Sequence, residues 1–190
     1  MVEEIQSTKE SWKRSLKSTM LGTLVQMSAD LEIRYGAEAV FLDTPDGEKI
    51  SAYWLPASKR YLDKRGVDIY AQNTMIICNP NMGYAEGQIY NSDWPDFYLD
   101  YGINVVLWNY RGYGKSSGIP SPLANRLDSE VVYQFARQQT IKAVNGQRPF
   151  KIGVHGISIG GIAATHLGKS GLVDFLFVDR SFLDLLSFPK

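Results

Sequence analysis

The sequence has little cysteine and no excess of either charge. Cys78 is the only cysteine among the 190 residues, so the chain cannot build an internal disulfide framework. A chain with so few thiols favours a reducing compartment, and we expect a cytoplasmic location. The 20 basic residues balance the 20 acidic ones. No overall field therefore attracts nucleic acid or an anionic membrane, and we expect no nucleic-acid partner.

Long apolar runs are also missing. No stretch reaches the roughly 18 to 20 apolar residues of a membrane span, and no signal-peptide core stands near the N-terminus. We therefore expect no transmembrane segment and no secretory leader. Hydrophobic residues nevertheless make up 44% of the chain. This share is enough for the core of one globular domain.

The most informative motif is Gly156-Ile157-Ser158-Ile159-Gly160-Gly161. An apolar run typical of a buried strand precedes it, and a small-residue stretch typical of a helix follows it. A serine at so sharp a turn needs neighbours without side chains, and Gly156 and Gly160 meet this need. Such a turn aims the hydroxyl at the first helical N–H groups. Ser158 is therefore the candidate nucleophile, and the alternative is a glycine-rich turn that only packs closely or binds an anion.

The first thirty residues predict a long amphipathic helix. Ser7 and Glu10 have the spacing of a capping box. Apolar residues then recur at intervals of three and four, so they share one face: Trp12, Leu16, Met20, Leu24, Met27 and Leu31. Basic residues occupy much of the remainder: Lys9, Lys13, Arg14 and Lys17. The helix can pack on its own domain, dock on a partner or lie on a membrane surface.

The rest of the chain alternates predicted strands and helices. The strands are expected at residues 39–42, 50–55, 74–78, 104–108, 150–155 and 175–178. The first two form a hairpin around Pro45-Asp46-Gly47, and residues 56–73 form a surface loop. Helices are expected at residues 88–101 with a break near Pro95, at 122–140 and at 162–167. The apolar face of the second helix is predicted to consist of Leu123, Leu127, Val131, Val132, Phe135 and Ala136. This alternation implies a three-layer α/β sheet with its functional loops at the carboxyl ends of the strands.

Three motifs together resemble the α/β-hydrolase superfamily. They are the Ser158 motif, Asn79-Pro80-Asn81-Met82-Gly83 after the third strand, and the stretch from Tyr110 to Gly118 after the fourth. Within the superfamily, the stretches at residues 79–86, 107–120 and 178–185 are most similar to the abhydrolase-domain serine lipases that act on phosphatidylserine and monoacylglycerol, and protein depalmitoylases are also similar. Together with the N-terminal amphipathic pattern, this predicts two parts, an N-terminal helical extension at residues 1–34 and a partial α/β-hydrolase domain at residues 35–190. Its sheet stops after the sixth strand and lacks the last two strands of the fold.

The resemblance implies that Ser158 hydrolyses an acyl ester or thioester in a lipid or protein substrate, without a cofactor or metal. The expected oxyanion hole consists of the backbone amides of Met82 and Ile159. Gly83, Gly156 and Gly160 support the two motifs.

For two polar residues of the motifs, Asn81 and Arg111, the sequence is compatible with two roles each. Asn81 either fixes its loop by hydrogen-bonding the backbone or is a turn residue. Arg111 either holds the loops after the third and fourth strands together, which we expect, or contacts the substrate.

The sequence departs from the family's pattern at the catalytic histidine. In the family the order is serine, acid, histidine, and no histidine follows His166. Neither His166 nor His155 is placed to bring an imidazole within roughly 2.6–3.2 Å of the Ser158 hydroxyl. We expect His155 to be a core or loop-bracing residue. Asp179 and, more weakly, Asp184 are candidate acids, but without a histidine to orient we expect both to be structural.

A sheet that stops at the sixth strand leaves an apolar edge between Phe175 and Val178, which a partner should cover. Three possibilities stay open. The chain is the amino-terminal part of a longer hydrolase, a second chain supplies the edge, or the fold is an inactive scaffold for protein interaction in a larger assembly. A nucleotide-binding α/β protein is disfavoured, because no glycine-rich fingerprint follows the first parallel strand and no Walker lysine is present.

Overall fold

A computed structural model describes residues 22–58, 73–146 and 149–181. Its six strands form one sheet in the order β1-β2-β4-β3-β5-β6. The strands are β1 Glu38–Asp43, β2 Lys49–Leu55, β3 Asn73–Cys78, β4 Ile103–Trp108, β5 Lys151–Ile157 and β6 Phe175–Asp179. Strands β1, β2 and β4 pair antiparallel, whereas β4, β3, β5 and β6 run parallel. The six predicted strands are confirmed, with ends displaced by two residues or fewer.

Apart from the helical residues 57–58, five helices surround this sheet within the described residues: α1 at 22–35, α2 Gln88–Asn91, α3 Trp94–Asp100, α4 Pro122–Ala143 and α5 Gly161–Lys169. The predicted helix at 88–101 is split between α2 and α3. Its break lies just before Pro95, which has no N–H to donate and therefore suits the first turn of α3. Helix α4 begins where Ser121 Oγ accepts the Ala124 N–H at 3.0 Å. Within the described ranges, no helix is long and apolar enough to cross a bilayer.

The central strands are buried on both faces, which explains their continuous apolar runs. Alternate residues serve two separate cores. Ile76 and Val106 face helices α4 and α5, whereas Ile77 and Leu107 face helices α1 and α3. Each of these side chains is fully buried. Burial of one such residue contributes about 1.5–3 kcal/mol.

Helix α1 packs on the domain. Its Leu31 and Tyr35 are 0% and 1% exposed and belong to the core under that face of the sheet. The described part of the N-terminal helix is therefore packed on its own domain. The proposed capping box, the basic residues 9–17 and the apolar residues 12, 16 and 20 lie outside the described residues.

One apolar residue of α4 departs from its predicted position. Leu123 was expected on the buried face, but it is 74% exposed. Helix α4 has 22 residues, which corresponds to about 33 Å, whereas a six-residue strand is about 20 Å long. Helix α4 is therefore longer than the strands that it packs on, and periodicity alone does not reveal which of its residues stay exposed.

Strand β6 forms an edge of the described sheet. It pairs with β5 on one side only. Phe175, Leu176 and Val178 are 56%, 42% and 37% exposed. The apolar edge predicted from the sequence is therefore present among the described residues.

Candidate functional site

Ser158 lies at the carboxyl end of β5, where the strand turns into helix α5. Its φ is +54°, a left-handed conformation that costs a residue other than glycine about 1–3 kcal/mol. Ile157 before it is still extended, and the 3₁₀ turn Ser158–Gly160 leads directly into α5. The change of direction is therefore concentrated in the backbone of Ser158.

Two glycines allow this turn to close. A Cβ atom on Gly156 would lie 2.6 Å from Cβ of Ala164, and one on Gly160 would lie 2.2 Å from the carbonyl oxygen of Cys78. Both distances are shorter than real side-chain contacts. The turn is therefore pressed against the end of β3, and only glycine fits at these positions.

Among the described residues, no side chain occupies the hydroxyl of Ser158. The residue is half-buried. Its carbonyl oxygen accepts a hydrogen bond from Ser181 Oγ at 2.6 Å. No side chain among the described residues is hydrogen-bonded to Ser158 Oγ, and neither histidine contacts it.

The loop after β3, residues 79–84, projects its apex beside the Ser158 turn. Met82 has a φ of +59° and is 76% exposed. The Gly83 N–H donates to the Pro80 carbonyl at 3.0 Å and closes the turn. A cavity of about 260 Å³ lies between this loop, α2 and the neighbours of Ser158. Its lining includes Met82, Gln88, Asn91, Trp94, Ile157 and Arg180.

A larger groove of about 470 Å³ lies between β1 and α4. Phe41, Pro45 and Phe135 line it, together with other residues of these elements. It contains none of the predicted site residues. The smaller cavity is lined by Asn81, Met82 and Gly83 of the predicted site and by Ile157, the residue before Ser158, although Ser158 itself does not line it.

Asn79, which sequence reasoning did not single out, holds the start of the loop. Its Nδ2 donates to the Trp108 carbonyl, its Oδ1 accepts from Gln88 Nε2, and its backbone oxygen accepts from Tyr110 OH, each at 2.7 Å. Asn81 is exposed and makes no side-chain hydrogen bond to a described residue. Of its two predicted roles, the turn residue fits. The sequence signal that could have identified Asn79 was its position directly after a buried strand.

His155 is a core residue, as expected. It is 0% exposed, and its Nδ1 lies 3.1 Å from the Tyr98 hydroxyl. The ring packs edge-on against Trp94, with centroids 4.7 Å apart. Burial lowers its pKa to about 4, so the imidazole is neutral at pH 7. His166 is engaged elsewhere, with Nε2 2.6 Å from Oε1 of Glu130.

Asp179 stands at the end of β6 and pairs with its neighbour Arg180. Arg180 Nη2 lies 2.9 Å from Asp179 Oδ2. Asp179 makes no hydrogen bond to either histidine. The weaker candidate Asp184 lies outside the described residues. No cluster of metal-ligating side chains occurs among the described residues.

Arg111 is structural, but its predicted partners were wrong. Its Nε and Nη2 donate to the Asp128 carboxylate at 2.7–3.1 Å, and its Nη1 donates to Asp46 Oδ2 at 2.6 Å. Arg111 therefore joins the β1–β2 turn to helix α4, not the loops after β3 and β4. Its hydrogen bond lowers the pKa of Asp46 well below the usual range. A planar guanidinium binds carboxylates best, and the loop after β3 contains no carboxylate.

Curated proteins similar to this chain include a lipase. Over 173 residues the chain is 28% identical to phosphatidylserine lipase ABHD16A of Homo sapiens, covering 90% of this chain and 28% of the lipase. It is 28% identical over 150 residues to the uncharacterized membrane protein YNL320W of Saccharomyces cerevisiae, covering 76% of this chain and 50% of that protein. Protein bem46 of Schizosaccharomyces pombe is 38% identical over 71 residues, covering 37% of this chain and 22% of that protein. The chain thus spans half or less of these relatives.

Solved structures share the architecture. The esterase Pf2001 of Pyrococcus furiosus matches with a TM-score of 0.56 and 21% identity, covering 75% of this chain and 48% of that chain. XC6422 of Xanthomonas campestris, an α/β serine hydrolase without a lid, matches with a TM-score of 0.54 and 21% identity, covering 70% of this chain and 56% of that chain. No protein-family model matches the chain. The mixed sheet is therefore an incomplete α/β-hydrolase fold.

Proposed function

Because this chain is a member of the α/β-hydrolase superfamily, we propose that it carries the nucleophile of a lipase- or esterase-type serine hydrolase. Ser158 is that nucleophile. The observation that carries the proposal is the backbone of Ser158, whose φ of +54° is held by close glycine packing at Gly156 and Gly160. A strained turn kept at a single serine is typical of a functional site.

The proposed reaction is acyl transfer through Ser158. Its Oγ bonds to the carbonyl carbon of an ester or thioester while the Oγ proton passes to a base. The carbonyl electron pair moves to oxygen, and the amides of Met82 and Ile159 stabilise this oxyanion. The alcohol or thiol leaves with a proton, and water then releases the acid. One donor of this kind contributes about 100- to 1,000-fold to the rate.

The base of the proposed reaction does not come from the two histidines of the chain. His155 is buried beside Tyr98, and His166 pairs with Glu130. We propose that a segment or chain beyond these 190 residues supplies the imidazole. The same observation favours the second candidate function, an inactive scaffold that binds a partner at the β6 edge.

An acyl lipid is the proposed substrate, and an acylated protein is the alternative. The name of the human relative supports a lipid ester, although this chain spans only 28% of that lipase. The cavity beside Ser158 offers apolar contact at Trp94 and Ile157, and its polar lining includes Arg180, which is paired with Asp179. An ester with an apolar chain and a polar head group suits this lining.

We also propose that the chain is located in the cytoplasm. The free, buried thiol of Cys78 supports a reducing compartment. A yeast relative is named a membrane protein. Fractionation of cells that express the chain compares the two locations. Recovery with the membranes contradicts the cytoplasmic assignment.

Labelling by a fluorophosphonate probe tests the nucleophile. We expect weak labelling of the purified chain, an increase when free imidazole is added as a substitute base, and no labelling of Ser158→Ala. Hydrolysis of p-nitrophenyl butyrate is followed in the same way, and the Ser158→Ala rate corrects for hydrolysis by imidazole itself. A folded chain that neither labels nor responds to imidazole contradicts the hydrolase and supports the scaffold.

A further inference from the structure

The loop that carries Met82 is held at its far end by Asn109, which directly follows β4. Asn109 is fully buried. Its Oδ1 accepts the backbone N–H of Ala85 at 2.8 Å. Its Nδ2 donates to Ser51 Oγ and to Glu86 Oε2, each at 2.9 Å. A buried amide therefore fixes the backbone three residues after Met82, whereas Asn79 fixes the other end.

Glu86 is the acidic member of this network. Its side chain is 0% exposed. Oε2 accepts from Asn109, and Oε1 accepts from the Tyr53 hydroxyl at 2.9 Å. No basic side chain of the described residues forms an ion pair with it. A buried carboxyl group without a counter-charge is costly unless hydrogen bonds satisfy it, so its two partners are the reason that it is tolerated.

The network continues from Glu86 into helix α1. The Tyr53 hydroxyl lies 3.0 Å from Ser28 Oγ on α1. Because the single Tyr53 proton is donated to Glu86, Ser28 is the donor in this contact. Helix α1 also contacts α2, where the Tyr90 hydroxyl donates to Asp30 and the Arg34 guanidinium lies 5.9 Å from the Tyr90 ring centroid. Helix α1 therefore contacts the segment after the loop directly at Tyr90, and it reaches Glu86 of that segment indirectly through Tyr53 of β2.

We propose that Glu86 is a positioning residue for the oxyanion amide of Met82 and couples helix α1 to it. This inference rests on the proposed function, in which the Met82 amide is one of the two donors of the oxyanion hole. A fully satisfied buried network is rigid, so it holds the loop in one arrangement. A displacement of about 1 Å at an active site lowers the rate by as much as about 100-fold. A ligand that moves α1 would therefore change the oxyanion hole.

Three variants test the positioning role against simple loss of stability. Glu86→Leu removes both acceptors at similar volume, and Tyr53→Phe cuts the connection to α1. Thr140→Val is the matched control, because Thr140 forms a buried hydroxyl pair with Thr74, at 2.6 Å, at the opposite end of β3. Each variant breaks a buried polar contact, but only the first two belong to the network.

The Met82 amide is observed directly in a chain labelled with ¹⁵N-methionine, which contains five methionines. Met82→Leu identifies the signal by its loss. We expect Glu86→Leu and Tyr53→Phe to shift or broaden the Met82 cross-peak, and Thr140→Val to leave it in place. Unchanged Met82 signals in both network variants, or equal shifts in Thr140→Val, overturn the proposal. If Glu86→Leu does not fold, Tyr53→Phe decides.

Phosphonylation kinetics give the second measurement. We expect the maximal labelling rate of Ser158 to fall about 10- to 100-fold in Glu86→Leu, less than the loss of a whole donor, with the probe's half-saturation concentration unchanged. An equal fall in Thr140→Val contradicts positioning. Absence of labelling in the unsubstituted chain contradicts the proposed function alone, and the Met82 signal then decides the present proposal.

Discussion

Replacement of Asp128 by asparagine tests the buried ionic cluster around Arg111. Asp128 is 0% exposed and Arg111 is 6% exposed. Two nitrogen atoms of the guanidinium donate to the Asp128 carboxylate, so the pair is bidentate. Asparagine keeps the size of the side chain but removes the charge and turns one acceptor into a donor. The variant therefore leaves a buried cation with Asp46 as its remaining partner.

The expected loss of stability follows from this geometry. Removal of one partner of a buried ion pair costs about 3–5 kcal/mol. Asp46 still neutralises Arg111 in part, so we expect a loss near the lower limit, about 3 kcal/mol. Asp46→Asn is the matched control. Asp46 belongs to the same cluster, but its side chain is 48% exposed, so solvent replaces much of what it supplies and we expect a smaller loss.

Urea unfolding followed by tryptophan fluorescence measures both variants. With a urea dependence of about 2 kcal/mol per M, the expected loss for Asp128→Asn lowers the unfolding midpoint by about 1.5 M. The slope should be unchanged, because the same surface is exposed on unfolding. A midpoint that falls no further than that of Asp46→Asn would refute the argument that burial makes this pair important.

Three further substitutions test the turn and its strand. Gly160→Ala places a methyl group 2.2 Å from the Cys78 carbonyl, so we expect a loss of about 3 kcal/mol in urea unfolding. Gly22→Ala, which meets nothing within 4 Å, should not destabilise the chain, and an equal loss in both contradicts the clash. The free energy of unfolding of Ser158→Gly should exceed that of Ser158→Ala by about 1 kcal/mol, because glycine adopts positive φ without strain. Equal urea midpoints for the two variants contradict strain at this position. The pKa of His155 is lowered from 6.5 to about 4, so the unfolded chain binds the proton first and stability falls as pH drops through that range. The loss approaches about 2 kcal/mol after allowance for solvent screening, and it should disappear in His155→Phe; a variant as sensitive to pH as the unsubstituted chain contradicts this.

The strands were predictable because their signal is local. Runs such as residues 74–78 and 104–108 are apolar on both faces, which only a covered sheet accommodates. The break before Pro95 and the start of α4 at Pro122 follow from single-residue chemistry. Leu123 shows the limit of periodicity, because its exposure depends on which residues of α4 its neighbours cover.

The site was predictable only in part. Glycines before and after Ser158 predict a close turn, and the structure describes such a turn at that position. The partners of Arg111 and the role of Asn79 were not predictable, since both depend on residues brought together from distant parts of the chain. Asp46 is 65 residues from Arg111, and Trp108 is 29 residues from Asn79. No local pattern records such pairings.

The sequence by itself determined the order of strands and helices, the apolar sixth strand and the place of the serine turn, because each follows from side chains close together in the chain. Tertiary structure decided which polar groups meet. It buried Glu86 between Tyr53 and Asn109, seated helix α1 on the segment after the loop, and enclosed His155 in an aromatic core. These outcomes depend on sheet order and burial, because a polar group in the interior must find its partner wherever the fold places one.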